Sequence, residues 1–412
     1  MKQKTNFNEK GITIIALIIT IILLLILVGV SINLVIKGNL FGSAEKAVDG
    51  TNAKVEQEQT RVDELMGELD KVEKQQKEQE EAEKQKNLLG KRVTENTKYV
   101  SNGKTSWIPK GFTVSWIKSE QSIDNGLVIY DIPEGTTVDW TNPDSVKTAY
   151  NQFVWIPVEV KSTDTENSIA SFYRSEWTAN ESTGGERTNG LSTDYTEPDS
   201  TNDTADKTGI ANQIANLTKS IYKYGGFYIG RYEAGSETER TSSSGVTTLG
   251  IKQDMYPYNY VKWGDSESSI GTTGAVYLSN SLYNTNEYGA TSMLCTGACW
   301  DSMLDFIKDS SHSVTDSTTW GNYNNSETYI INRGKYAVFN TSTYKLEKFQ
   351  DVGNEYSKEK DKSILLTTGA AETRNVAKNI YDVAGNVYEW TTESYSSGLR
   401  VGRGRLLLPR WF

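Results

Sequence analysis

The longest apolar run in the sequence limits what this chain can form more than any other feature. Residues 12–36 contain no charged side chain and consist mostly of Ile, Leu and Val. As a helix rising about 1.5 Å per residue, the run spans roughly 37 Å, enough to cross the hydrocarbon core of a bilayer. Because Lys2, Lys4 and Lys10 precede it, the positive-inside tendency keeps the N-terminus in the cytoplasm. The sequence therefore predicts a single-pass cell-membrane protein whose C-terminal domain lies at the cell surface.

The segment after this run changes to Glu, Lys and Gln, and residues 37–96 are predicted to form a helical stalk. Val48, Val55, Val62 and Leu69 recur every seven residues, which is the spacing of a coiled-coil seam. Two interpretations stay open: a stalk that self-associates through a short coiled coil, and a solvated single helix stabilised by Glu/Lys pairs.

The charge and the rare residue types exclude several classes of function. With 53 acidic and 43 basic side chains the net charge is -10, which argues against a nucleic-acid partner. One histidine, His312, cannot build a multi-histidine metal site, and two cysteines cannot build a zinc ribbon. Cys295 and Cys299, four residues apart, are interpreted as small buried hydrophobes, with an extracellular disulfide as the alternative.

Residues 97–412 are rich in Gly, Ser, Thr, Asn and Tyr, with short apolar stretches between turn signals. Strands are predicted at 153–158, 226–232 and 258–263, and a helix at 299–307 with one apolar face. Polar segments at 162–208 and 310–326 are predicted to be surface loops. This mixture of short strands, few helices and long loops predicts an α+β domain.

The junction at Gly11 and Ile12 resembles the processing site of type IV pilin-like prepilins, in which a short basic leader precedes an apolar helix. The resemblance implies a leader over 1–11, cleavage after Gly11 by a prepilin peptidase, and Ile12 as the mature N-terminus. Ala16 stands where the family usually has Glu, and that change argues against assembly into a filament. The alternative is an uncut signal anchor.

The stretch NIYDVAGNVYEWT at residues 379–391 resembles the signature of the formylglycine-generating-enzyme-like (sulfatase-modifying factor) domain, a branch of the C-type-lectin fold. Tyr388 replaces the first Trp of that signature. Residues 153–158, the GGFYIGRYEAG segment at 225–235 and the helix near Trp300 follow in the family's order. The resemblance implies an α+β domain of this type over 97–412.

The same signature predicts a structural Ca²⁺ site. Carboxylates at both ends of a Gly-Asn turn, with backbone carbonyls between them, supply the hard oxygen ligands that Ca²⁺ prefers. The resemblance implies that the ligands are the side chains of Asp382 and Glu389 and the carbonyls of Gly385 and Val387. The alternative is a tight turn whose carboxylates cap backbone amides.

Catalysis is not expected, because the family's enzymes use a cysteine pair after the signature and no cysteine follows Trp390 here. Asp301 and Asp305 are one helical turn apart and are predicted to be solvated, so they offer no acid–base pair.

The remaining function is recognition. The family includes variable proteins diversified by retroelements and displayed on surfaces, which implies an adhesin-like or receptor-like protein that binds an extracellular protein or glycan. Trp390, Tyr395 and Arg400 are the candidate ligand contacts. The alternatives are a minor pilin or pseudopilin that carries this domain at its tip, and a formylglycine-generating-type oxidase.

The last residues depart from the rest of the chain. Residues 405–412 (RLLLPRWF) are basic and apolar in an otherwise acidic, Ser/Thr-rich sequence. We expect either an out-of-frame tail that truncates the C-type-lectin-like domain, or a genuine short basic tail.

Overall fold

The computed structural model describes residues 45–188, 195–198, 207–265, 270–283, 287–340, 342–343, 345–372, 374–395 and 399–404. These residues contain both helices and strands, and they divide into two compact units, Met1–Gln79 and Glu80–Phe412. The helices are α1 (Glu45–Leu88), α2 (Pro143–Ala149), α3 (Lys207–Tyr224), α4 (Ala275–Ser281) and α5 (Gly297–Ile307), with a 3₁₀ turn at Lys118–Glu120.

The strands are short and spread along the second unit. They are β1 (Thr97–Ser101), β2 (Lys104–Ile108), β3 (Thr113–Val114), β4 (Val128–Tyr130), β5 (Gln152–Pro157), β6 (Glu176–Thr178), β7 (Glu186–Thr188), β8 (Tyr195–Thr196), β9 (Gly226–Gly230), β10 (Gly235–Ser236), β11 (Leu249–Gly250), β12 (Tyr256–Pro257), β13 (Tyr329–Ile331), β14 (Lys335–Asn340), β15 (Lys345–Leu346), β16 (Gln350–Asp351), β17 (Tyr356–Lys358), β18 (Ile364–Leu366), β19 (Val376–Ala377), β20 (Ile380–Tyr381), β21 (Glu389–Tyr395) and β22 (Leu399–Arg403).

The predicted transmembrane helix is corrected by the structure. No helix among the described residues is both long enough and apolar enough to cross a membrane. The longest, α1, is rich in Glu, Lys and Gln, and each charge at the centre of a bilayer costs about 2.5–3.5 kcal/mol. The predicted fold class, with its membrane-spanning helix, and the predicted single-pass cell-membrane location are therefore wrong for the described part of the chain. Residues 12–36, on which both predictions depended, lie outside that part, as do Gly11 and Ile12.

The main core forms around the antiparallel sheet β3-β4-β5-β9. Because side chains alternate along a strand, Val154 and Ile156 face the side covered by α5, where Met303 and Ile307 are buried. Trp155 points to the opposite side and packs in a second cluster. The strand predictions at 153–158 and 226–232 and the helix prediction at 299–307 are confirmed by β5, β9 and α5.

Two of the segment predictions are wrong. Residues 258–263 form no strand. Tyr258 and Trp263 are buried; the Tyr258 hydroxyl donates to the Thr247 carbonyl, and the Trp263 indole donates to the Thr391 carbonyl. The predicted surface loop 310–326 carries Asn322, which is fully buried. Side-chain hydrogen bonds therefore hold Tyr258 and Trp263 inside, and backbone hydrogen bonds to residues 384–386 hold the segment around Asn322.

A buried lysine closes the loop around residues 323–326. Lys358 is completely inaccessible to solvent, and its ammonium group donates to the carbonyls of Tyr323, Asn324 and Ser326 at 2.7, 2.9 and 3.2 Å. Burial, followed by the charge of Arg374, lowers the pKa of Lys358 to about 8. The three carbonyl dipoles supply the stabilisation that water would otherwise give to the cation.

Candidate functional site

The signature segment folds as a tight turn pressed against the loop that contains Asn322. Asp382 and Asn386 adopt left-handed backbone angles of φ 63° and 64°, which Asp and Asn tolerate better than most residues. Gly385 has φ 86°, and a Cβ atom there would lie 2.2 Å from the Asn322 carbonyl oxygen. The backbone amide of Asn322 donates to the Ala384 carbonyl at 2.9 Å, and the backbone amide of Asn386 donates to the Asn322 carbonyl at 3.1 Å. Only glycine fits at position 385.

The side chain of Asn386 connects four buried groups. Its Oδ1 accepts hydrogen bonds from the Leu366 amide at 2.9 Å and from Asn322 Nδ2 at 3.1 Å. Its Nδ2 donates to the Leu366 carbonyl at 3.1 Å and to Glu233 Oε1. Asparagine is required because both a donor and an acceptor are used, and neither a carboxylate nor an apolar side chain supplies both.

Three carboxyl groups meet behind this turn. Asp382 and Glu233 are each only 3% exposed, and the Gly369 amide donates to Asp382 Oδ2 at 2.6 Å. Burial raises the pKa of Glu389 to about 8, with a further contribution from the charge of Asp382. Burial, followed by the charges of Asp382 and Glu389, raises the pKa of Glu233 well above its usual range. Burial likewise raises the pKa of Asp382. The three groups therefore repel one another when ionised.

Several oxygen atoms in this part of the chain lack a hydrogen-bond donor among the described residues. No described residue hydrogen-bonds Glu233 Oε2, and none donates to the carbonyl of Gly385 or Val387. Oxygen ligands without partners are what Ca²⁺ coordinates. Within the described ranges, no three His, Cys, Asp or Glu side chains are arranged to hold a metal ion. The predicted set of Asp382, Gly385, Val387 and Glu389 uses only two side chains, and it stays a prediction.

The three predicted ligand contacts have different surroundings. The Trp390 indole donates to the Val261 carbonyl at 2.9 Å, so this ring is an anchor. The guanidinium of Arg400 lies 3.8 Å from the centre of the Trp263 ring, which covers it on one side. The Tyr395 side chain is 41% exposed. Tyr395 is therefore the predicted contact that the structure presents most openly.

Tyr395 belongs to a patch that we call the aromatic face, which consists of the exposed Tyr395 and Leu399 and the half-buried Tyr195. The three residues lie on neighbouring strands of the sheet β22-β21-β8, with Tyr395 paired to both of the others. The rings of Tyr195 and Tyr395 are 5.2 Å apart, and Leu399 is 59% exposed. An apolar patch on a sheet surface is a typical protein or ligand contact.

Buried ion pairs join β21 of this sheet to β22 and to the segment around Arg174. Glu393, 1% exposed, accepts from Arg174 Nε at 2.6 Å and from Arg403 Nε at 2.9 Å. Arg174 also pairs with Asp301 at 3.0 Å. The prediction that Asp301 is solvated is wrong, because it is fully buried and accepts hydrogen bonds from the Ser175 amide and the Trp177 indole. These bonds attach the segment around Ser175 to α5, although most of residues 162–188 are exposed or half-buried, as the prediction of a surface segment requires.

The cavity next to the carboxyl cluster has a volume of about 180 Å³, and Glu233, Glu389 and Cys295 are among its lining residues. Pockets for organic ligands usually measure about 300–1,000 Å³. The cavity suits water or an ion better than a substrate. Burial raises the pKa of Cys295, and it raises that of Cys299 to about 12. Since the thiolate is the reactive form, these two thiols are poor nucleophiles.

Glu233 and Asn322 are the residues of this site that sequence reasoning missed. Glu233 directly follows a predicted strand, which was a weak signal for a residue at a strand end. Asn322 lies in a polar stretch that carried no signal.

Comparison with known proteins gives no match: no family model matches the chain, and neither a curated protein nor a solved structure matches it significantly. The prepilin-like and formylglycine-generating-enzyme-like resemblances therefore stay predictions.

Proposed function

We propose that the second unit of this chain is a ligand-binding module without catalytic activity, similar to formylglycine-generating-enzyme-like domains that recognise rather than react. The observation that carries the proposal is the aromatic face, which is exposed and yet rigidly supported by the ion pairs of Glu393. Exposed aromatic anchors on a rigid sheet are the usual hot spots of recognition, because little side-chain entropy is lost on binding. The raised pKa values of both thiols favour binding over redox chemistry.

The ligand proposed for this face is an extracellular protein or glycan. The test is binding of the purified chain to arrays of immobilised glycans and extracellular proteins, followed by measurement of the affinity for each hit. Tyr395→Ala and Leu399→Ser should each weaken binding about tenfold or more. Tyr222→Ala is the matched control, because Tyr222 is equally exposed, at 41%, on α3. Equal affinity of all variants would contradict the proposal.

An oxidase is the competing function. The oxidase would be supported if the wild-type chain formed formylglycine from a cysteine-containing peptide and Cys295→Ser did not. That result would contradict the proposal of a binding module without catalysis. The pilin-like alternative depends on residues outside the described ranges, and incorporation of the chain into filaments would test it.

We further propose that Ca²⁺ stabilises the module at the signature turn. The side chains of Asp382 and Glu389 and the carbonyls of Gly385 and Val387 would hold the ion. Its positive charge would offset the repulsion among the buried carboxylates, with Glu233 nearby. The role is structural, and no reaction step depends on the ion.

Stability should depend on pH and calcium together. Carboxyl groups with raised pKa values keep their protons in the folded state at a pH where the unfolded chain has lost them, since Glu normally titrates near about 4.3. Without calcium, the melting temperature should therefore fall as pH rises from about 5 through about 8, where Glu389 titrates. At pH 8, Ca²⁺ at about 100 times its Kd should raise the melting temperature by about 5 °C. At pH 5 the increase should be much smaller.

Differential scanning fluorimetry with and without a chelator measures this effect. Glu389→Gln should remove the calcium response, whereas Glu159→Gln, at an exposed position, should leave it unchanged. A melting temperature at pH 8 that is the same with calcium and with chelator would show that the turn holds no ion.

A further inference from the structure

A second cavity is lined by residues between Leu89 and Trp140, far in sequence from the signature segment. It has a volume of about 540 Å³, within the range of about 300–1,000 Å³ that small-molecule sites occupy. Two tryptophans, Trp116 and Trp140, line it on either side of Gly90. We call this arrangement the indole cradle. All its lining residues belong to the second unit.

Gly90 brings the two rings close together. It has φ 68°, and a Cβ atom there would lie 3.0 Å from Trp140 Nε1 and 3.2 Å from Trp116 Cε3. The Trp140 ring is fixed by an edge-on contact with Tyr130, at 5.4 Å and 85°. Trp116 is 50% exposed, which is unusual for the largest apolar side chain. The cradle is thus a preformed cleft with one fixed ring and one open ring.

One polar group in the cavity is buried without a partner. Thr113 is 1% exposed, it lines the cavity, and its hydroxyl has no hydrogen bond among the described residues. A buried hydroxyl without a partner costs about 1–3 kcal/mol. Because this oxygen is enclosed, a ligand hydroxyl would satisfy it only after a small shift of the side chains that cover it. Thr136 and Thr137 add two accessible hydroxyls at the exposed rim.

The charge of the lining is opposite to that of the chain. No Asp or Glu lines the cavity, although the chain as a whole carries a net charge of -10. Arg92 is already used, because it donates to the Ile132 carbonyl at 2.8 Å and pairs with Glu287 at 3.1 Å. Lys91 is exposed at the rim, and no ion pair joins it to any described residue. An anionic group on the ligand would be met by Lys91.

We propose that the indole cradle binds a sugar ring that carries a carboxylate, such as a hexuronate unit of an acidic polysaccharide. The apolar C–H face of a pyranose packs on an indole ring, its hydroxyls meet Thr113 and the rim threonines, and its carboxylate meets Lys91. This inference goes beyond the proposed function, because it adds a second binding site, with a stated ligand class, to the same chain. The site is separate from the aromatic face and from the calcium turn.

The test is isothermal titration of the full chain with trigalacturonate, and with neutral galactotriose as the matched probe. Trigalacturonate should bind about tenfold more tightly than galactotriose at low salt, and Lys91→Gln should remove that difference. Trp116→Ala and Trp140→Ala should weaken binding of both sugars about tenfold or more. Tyr277→Ala, at a residue 40% exposed on α4, should change neither.

Thr113→Val separates ligand binding from folding. Valine has nearly the same shape and lacks the hydroxyl, so the variant should be at least as stable as the wild type and yet bind trigalacturonate more weakly. Unchanged binding in this variant and in Trp116→Ala would overturn the proposal, as would preference for the neutral sugar or for a proline-rich peptide. Loss of the aromatic-face interaction with Tyr395→Ala, while sugar binding persists, would distinguish the two sites.

Discussion

Replacing Arg231 by methionine should lower the free energy of unfolding by about 3–5 kcal/mol. Arg231 and Glu120 are each 1% exposed, and their charged atoms are 2.8 Å apart. The guanidinium also donates to the Tyr130 hydroxyl at 3.2 Å and to Gln152 Oε1 at 3.0 Å. Methionine would leave the Glu120 carboxylate buried with the Ser115 and Tyr130 hydroxyls as hydrogen-bond donors and with Lys147, 3.8 Å away, as its remaining ion-pair partner among the described residues. Urea denaturation followed by circular dichroism measures the change.

The loss comes from an uncompensated charge rather than from lost volume, and a double variant tests that origin. Glu120→Gln together with Arg231→Met should recover a large part of the stability, because no buried charge is left over. Lys104→Met, at an exposed pair with Asp124, is the control and should cost less than about 1 kcal/mol. If the double variant is as unstable as the sum of the two single ones, packing rather than charge explains the effect.

Asn386→Leu should cost about 3–5 kcal/mol, because several buried polar groups lose their partner at once. These are the amide and carbonyl of Leu366, Asn322 Nδ2 and Glu233 Oε1. The Asn386 hydrogen bond lowers the pKa of Glu233, so its loss should raise the pKa of this buried carboxyl further. Thermal and urea unfolding measure the loss of stability.

Asn325→Leu, at an exposed position in the neighbouring turn, serves as the control and should change the stability by less than about 0.5 kcal/mol. A loss of less than 1 kcal/mol in Asn386→Leu would mean that water replaces the side chain, and the turn would not be fixed by this residue.

The sequence pattern predicted β5, α5 and the turn at Gly385, because each of them is determined by a short continuous segment. Residues 153–156 of β5 form a continuous apolar run, and the apolar residues of α5 repeat with the helical period, so the type of each element could be predicted from its own residues. The turn at Gly385 and the positions of Asp382 and Glu389 also follow from a short segment. The contacts that complete the site join distant residues: Asn386 meets Glu233 across 153 positions, and Arg174 meets Glu393 across 219. No periodicity carries that information.

Polarity misled the prediction wherever a polar side chain is buried. Asp301 sits on the polar side of α5, where solvent was expected, and instead it accepts bonds from three donors of the 174–177 segment. Asn322 lies among Ser, Thr and Asn residues that were predicted to form a surface loop. In both cases hydrogen bonds satisfy the buried group, so its burial costs little and leaves no trace in hydropathy.

The ammonium of Lys358, enclosed by three backbone carbonyls, offers a chemical probe for opening of the loop around it. All its N–H donors are engaged, and the side chain is out of reach of solvent. Amine-reactive reagents should label the exposed lysines of the native protein within minutes and leave Lys358 unmodified. Its rate of acylation would then measure how often the surrounding loop opens, independently of the spectroscopic signal of the many aromatic residues.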